Sequence, residues 1–331
     1  MAIAAANSRR IAGACGPLSI TVTTDDPALA HIASAYFDLY SRRWTAMSRH
    51  VEVHLVRAGV AALECGNYLR CGRMQVDRRG AHYLAVTRCS FVALGTCNDG
   101  RGDRWIVAVP PQTVFHEPEI GEMEDIFSLI CTIAWRAEGW TAVHAGAVMK
   151  GQTCALLCAP SGGGKSTLTA ALVASGWQTL GDDKLLLRIR EGSPFLASVL
   201  QTFNLDPGTS RWFDVGDIEG LPRYSAWTQK RRVHVDRIGN GLAAESARPT
   251  HLICLVRSSG VNGMRVSKLD DAAVLPALLR QIVIPSDREA ARSILQTAIS
   301  CARTMQGLQL EIGDDAYARS GWLDAIEDAI A

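Results

Sequence analysis

The sequence predicts an α/β fold: a phosphate-loop nucleotide-binding domain over residues 116–331, preceded by a smaller strand-rich α+β domain over residues 1–115. Three observations carry this. The glycine-rich stretch APSGGGKST, Ala159 to Thr167, sits between an apolar strand pattern and a helical one. Upstream of Pro110, short alternating or apolar runs dominate and are bounded by turn residues. The length of 331 residues, 48% of them hydrophobic, suffices for two cores.

LSITVTT (Leu18 to Thr24) reads as the first strand. Asp26 and Pro27 then mark a helix start, as N-cap and first helical residue. The helix itself runs over Ala28 to Arg42, with Leu29, Ile32, Ala33, Tyr36, Leu39 and Tyr40 at helical spacing. VEVHLVRA, HYLAVT and RWIVAV are further strands. Glu117 to Glu138 is helical, with Ile126, Leu129, Ile130 and Ile133 on one face and acids gathered at its start. The domain boundary is placed in this region.

Thr141 to Val148 and Thr153 to Ala159 read as strands joined by a tight turn. The helix Lys165 to Ser175 stops at Gly176, and the strands WQTLGDD and KLLLRIR follow. Val199 to Leu221 reads as loop. THLICLVR (Thr250 to Arg257) is a strand, and Asp270 to Val283, Ser286 to Thr304 and Trp322 to Ile330 are helices.

Lys plus Arg number 34 and Asp plus Glu 33, a net charge of +1, so neither a nucleic-acid nor a membrane surface is expected. The ten cysteines include no CxxC pair, which argues against zinc. Several lie in apolar runs, where a thiol acts as a small hydrophobe, fitting a reducing cytoplasm. MAIAAANSRRIAGACG lacks the charge-then-apolar order of a signal peptide, and no apolar run is long enough to span a bilayer.

The pattern A-x-x-x-x-G-K-S matches the phosphate-loop template except for Ala159 at its first glycine. Ser161, Gly162, Gly163 and Gly164 supply backbone N–H groups that converge on phosphate oxygens. The helix from Lys165 adds its positive end. Lys165 is expected on the outer phosphates, the Ser166 hydroxyl on Mg²⁺, and Thr167 on an inner phosphate or simply in the helix. These residues predict ATP and magnesium as the cofactors.

A right-handed crossover should bring the strand ending at Asp182 and Asp183 beside the phosphate-loop strand and parallel to it. Antiparallel pairing about the turn near Lys150 sets His144 opposite Leu157 or Cys158. A nucleotide, a metal, two acids and a histidine point to phosphoryl transfer. One aspartate takes the proton of an attacking hydroxyl, the other holds the metal, and His144 orients the base. Of the basic run Lys230, Arg231 and Arg232, Arg231 is the candidate cation for the transferring group.

The order and spacing of VHAGAV, APSGGGKST and GWQTLGDDK resemble the HPr kinase/phosphorylase superfamily over about Val143 to Arg190. A weaker likeness continues through KRRVHVD and THLICLVR. The resemblance implies a phosphoenolpyruvate-carboxykinase-like domain with a mixed sheet. It gives Asp182 the role of base, Asp183 that of metal ligand, and puts His144 against the catalytic acid. VLQTFNLDPGTSRWFDVGDIEG lacks the family's downstream signature, an acidic residue in a glycine-rich context. That departure separates the chain from the members acting on HPr. The diverged HPr-kinase-like enzymes of peptide biosynthetic clusters are nearer, among them the lasso-peptide tailoring kinases, which phosphorylate the C-terminal serine of a precursor. The resemblance thus implies a serine-bearing peptide or protein as partner and allows a homo-oligomer. Two other readings stand beside it: a kinase for a small hydroxyl metabolite, and a P-loop ATPase or nucleotide-sensing switch. Neither an LSGGQ-like motif nor NKxD is present, which favours transfer over timing.

Overall fold

The computed structural model describes residues 8–40, 44, 47–59, 69–71, 74–98, 102–213, 215–223, 228–238, 244–285 and 287–330. The chain divides into two compact units, Met1–Glu138 and Gly139–Tyr224 with Thr228–Ala331. The boundary thus falls after Glu138 rather than between residues 115 and 116. The reason is the helix that follows Pro111, which packs on the N-terminal sheet.

In the first unit β1 (Arg9–Cys15), β2 (Leu18–Thr24), β3 (Arg49–Arg57), β4 (Leu69–Cys71), β5 (Met74–Arg79), β6 (His82–Val86), β7 (Val92–Asn98) and β8 (Gly102–Val109) form one sheet. Its order is β1-β2-β3-β8-β7-β6-β5-β4. α1 (Pro27–Phe37) is the crossover between the parallel neighbours β2 and β3. It begins as its sequence requires: Asp26 Oδ1 accepts from the N–H groups of Ala28 and Leu29 at 2.7 and 3.1 Å. Alternation buries Val51, Val53 and Leu55 beside Trp105, Val107 and Val109, while Ile106 on the other face is exposed. α2 (Glu117–Ala137) covers the buried face: Trp135 donates from Nε1 to the Cys15 carbonyl at 2.9 Å, and Phe127 stacks on Tyr36 at 4.9 Å. Its N-terminal acids do more than complement the dipole. Glu122 is buried and accepts from the Cys89 N–H at 2.8 Å.

The second unit is built on a six-stranded sheet of order β12-β10-β11-β18-β20-β19, from β10 (Gly146–Lys150), β11 (Thr153–Cys158), β12 (Gln178–Gly181), β18 (His251–Arg257), β19 (Met264–Lys268) and β20 (Gln306–Ile312). β9 (Thr141–Val143), β13 (Leu185–Arg190), β14 (Ser193–Ser198) and β17 (Ser246–Ala247) make a second sheet, and β15 (Thr202–Leu205) pairs with β16 (Arg231–His234). The helices are α3 (Lys165–Ala174), α4 (Asp271–Leu279), α5 (Arg288–Ala302) and α6 (Trp322–Ile330).

The large sheet is mixed. β11, β18 and β20 are parallel, whereas β10 and β19 run against their neighbours. β12 therefore runs parallel to β11 but is separated from it by β10, so the expected direct pairing is corrected while the direction stands. Both faces of β11 are buried. Ala155 and Leu157 join Leu168 and Leu172 of α3 in one core, and Cys154, Leu156 and Cys158 join the α4 and α5 side chains in another. The cysteines act there as small apolar residues. Among the described residues no helix is long and apolar enough to cross a membrane.

Candidate active site

All the parallel strands of the large sheet end on one edge, where loops carry ligands in sheets of this kind. A cavity of about 670 Å³ opens there. Its wall includes Ser161, Gly162, Gly163, Gly164, Lys165, Ser166 and Thr167, so the whole loop read from sequence lines one space. The glycines answer to local geometry. Gly164 enters α3 at φ 95°, a left-handed conformation that costs glycine nothing. A Cβ on Gly163 would lie 2.7 Å from the Ala159 Cβ. Lys165 is 6% exposed and donates to the Ala159 carbonyl at 2.9 Å. Burial lowers its pKa, opposed by the charges of Asp183 and Asp182.

The chain after β12 splits the two aspartates. Lys184 N–H donates to the Asp182 carbonyl at 2.9 Å, closing a tight turn, and Asp183 sits at φ 73°. Aspartate is among the few side chains that adopt this conformation readily. The turn sends Asp182 inward, fully buried, and Asp183 outward into the cavity.

Asp183 is held from two sides. His144 Nδ1 lies 3.2 Å from its Oδ1, and Asn204 donates from Nδ2 to its Oδ2 at 3.1 Å. His144 reaches this place by a route the sequence reading misplaced. The expected single strand Thr141 to Val148 breaks at residues 144–145. β9 pairs with β13 in the smaller sheet and β10 with β11 in the larger, so His144 occupies the step between sheets. Its N–H donates to the Gln281 carbonyl at 2.8 Å. Gly146, not His144, faces Leu157. Partial desolvation by the cavity wall, with Lys165 nearby, pulls the imidazole pKa down against the pull of Asp183, although half of the side chain stays open to solvent.

Asp182, expected as the base, lies outside the cavity wall. The Ser166 hydroxyl and the Asn204 N–H, 3.4 Å from Oδ2, sit on its carboxyl. Desolvation first, then the neighbouring Asp183 charge, push its pKa up to about 7. The expected geometry is therefore corrected: the carboxylate that faces the cavity and the histidine is Asp183, and Asp182 stands behind Ser166. Oδ1 of Asp182 is buried without a hydrogen-bond partner. The Ser166 hydroxyl, on the cavity wall and bonded to the Asp182 carboxyl, suits a hard cation such as Mg²⁺, which takes few protein ligands and completes its shell with phosphate and water. Among the described residues no cluster of three or more His, Cys, Asp or Glu forms a self-sufficient metal cage.

Arg231 is also corrected. It lies in β16, donates from Nη1 to the Leu221 carbonyl at 3.1 Å, and does not line the cavity. Adjacent positions on an extended chain face opposite ways, and Lys230 takes the cavity side. The remaining cations of the wall are Arg211 and Arg257. Asn204 and Arg211 escaped the sequence reading because Val199 to Leu221 looks like loop. The signal was present in TFNL, where Phe203 and Leu205 are core and Asn204 faces the acids.

No family model matches this chain, and no curated protein matches it. Its structure is similar to that of the HPr(Ser) kinase/phosphatase from Coxiella burnetii. The likeness spans 57% of this chain and 89% of that one, at 12% identity and a TM-score of 0.30.

Proposed function

We propose that this chain is an ATP- and magnesium-dependent phosphotransferase that moves the γ-phosphoryl group to a serine hydroxyl of a peptide. The observation that carries this reading is the Asp183 carboxylate, clamped by His144 and Asn204 on the wall of the cavity that the phosphate loop lines. An attacking hydroxyl must lose a proton, and a fixed carboxylate aimed at open space beside the loop is placed to take it; water needs the same service, so the acceptor assay decides between transfer and hydrolysis.

In this reading the loop N–H groups and Lys165 hold the phosphates. Asp183 accepts the hydroxyl proton as the serine oxygen bonds to the γ-phosphorus, and the bond to the ADP oxygen breaks. His144 and Asn204 are positioning residues that fix the carboxylate. Lys230 supplies positive charge at the cavity wall. Magnesium, which Ser166 with the Asp182 carboxylate would hold, would supply positive charge to the outer phosphates. Serine as acceptor, and the C-terminal serine of a lasso-peptide precursor in particular, is supported by the motif resemblance over Val143 to Arg190.

The test incubates wild type and Asp183→Asn with labelled ATP, Mg²⁺ and a panel of serine peptides, some ending in serine. Wild type labels a peptide and the variant does not, while both bind nucleotide. Equal labelling by both removes Asp183 as base. Steady phosphate release without an acceptor assigns an ATPase instead, and labelling of a small alcohol alone assigns a metabolite kinase.

A further inference from the structure

The cavity extends well past the phosphate loop, and its two flanks differ in chemistry. β12, β11, β18 and β20 all point the same way, so their ends lie in a row along one sheet edge. The loop follows β11. Asp183 follows β12, two strands to one side. Arg257 ends β18 and Asp314 follows β20, on the other side. At the usual strand spacing, Asp183 and Asp314 bracket the loop at about 10 Å each.

This arrangement directs the nucleotide. Transfer needs the attacking and leaving oxygens roughly in line. With the acceptor entering on the Asp183 flank, the diphosphate and its nucleoside leave towards Arg257 and Asp314. That flank is built of flat groups. The Arg211 guanidinium lies 4.4 Å from the Trp212 ring centre, and Trp212 lies 5.1 Å from Tyr317 at 35°. Beside them Arg257 Nη1 stands 3.7 Å from Asp314 Oδ1, the two side chains being 50% and 84% exposed. An ion pair so open to water contributes little to folding. It does offer a donor and an acceptor side by side, the complement of a nucleobase's hydrogen-bonding edge.

We propose that Arg211, Trp212 and Tyr317 with the Arg257–Asp314 pair form a purine-base subsite. The base stacks on the flat groups, and its edge bonds to the pair. A two-ring base covers more of this wall than a pyrimidine, so the subsite selects purine nucleotides by stacking area and leaves the phosphate end to the loop. The inference rests on the phosphotransferase reading, because the loop and Asp183 set the direction of the nucleotide.

The test is calorimetric titration of the full chain, with Mg²⁺, using ATP, GTP, CTP and tripolyphosphate. Wild type should bind ATP or GTP about tenfold or more tighter than CTP and tripolyphosphate, the scale of a base–aromatic stack. Trp212→Ala should erase that preference with tripolyphosphate affinity unchanged, and Trp212→Phe should keep part of it. Asp314→Ala, at an exposed position, should weaken purine binding alone and so tests the subsite without risk to folding. Equal wild-type affinity for ATP and tripolyphosphate overturns the subsite, as does a purine preference that survives both Trp212→Ala and Asp314→Ala. Lys165→Ala separates the two readings. If it leaves tripolyphosphate binding intact, the phosphate-loop reading falls and the subsite with it. If it abolishes that binding while the Trp212 and Asp314 variants change nothing, only the subsite falls.

Discussion

Asp182 and Asp183 are neighbours in the chain and face opposite ways, and that divergence sets the chemistry of the site. Because asparagine tolerates the left-handed backbone at position 183 at least as well as aspartate, Asp183→Asn tests the proposed proton acceptor without disturbing the turn. We expect kcat for peptide phosphorylation to fall by about 10²- to 10⁴-fold with ATP affinity retained, read by steady-state kinetics and titration. Asn204 acts one step back. It bonds to Asp183 through its side chain and to Asp182 through its backbone. Asn204→Ala removes the bond that orients Asp183 Oδ2. It should lower kcat by about ten- to a hundredfold while KM for ATP changes little, because misplacement of a catalytic group is costly even when binding is intact. A change confined to KM would show instead that Asn204 binds substrate.

At the scale of elements, two junctions carry sharp expectations. β10 lies so close to α3 that a Cβ on Gly146 would stand 2.3 Å from the Thr169 Oγ1, which donates to the Lys165 carbonyl at 2.8 Å. Gly146→Ala must turn the Thr169 hydroxyl off the Lys165 carbonyl or part the helix from the sheet at the root of the glycine-rich loop. A loss of about 1–3 kcal/mol in urea denaturation is expected, with weaker nucleotide binding. In the other unit Asp26 caps α1 and also accepts from Arg57 Nε at 2.6 Å. Against the desolvation that comes with burial, the Arg57 guanidinium and the Leu29 and Ala28 N–H groups hold its carboxyl below the ordinary 3.8. A depressed carboxyl pKa stabilises the fold above the unfolded value, and the contribution is lost as pH falls through the folded value. Asp26→Asn keeps the cap but loses the charge. Its Tm should lie below wild type at neutral pH, and the gap should close as pH drops below about 4, by circular dichroism.

Over the whole molecule, each of the two units has its own core, one between the eight-stranded sheet and its helices, the other around the mixed sheet. Residues 1–138, expressed alone, should therefore unfold in a single cooperative thermal transition, and a featureless melt would refute that independence. Much of this architecture is legible along the chain where the signal is local. Asp26 and Pro27 announce α1, the alternation in RWIVAV announces β8, and APSGGGKST between a strand and a helix announces the cavity wall. These depend on backbone conformation and burial pattern within a few residues. The placement of β10 between β11 and β12, the step of His144 between two sheets, the outward turn of Asp183 and the arrival of Asn204 depend on pairings between distant segments. One residue of register or one left-handed φ reverses a side chain's face, and that choice is made by packing across the whole unit, where no neighbouring residue records it.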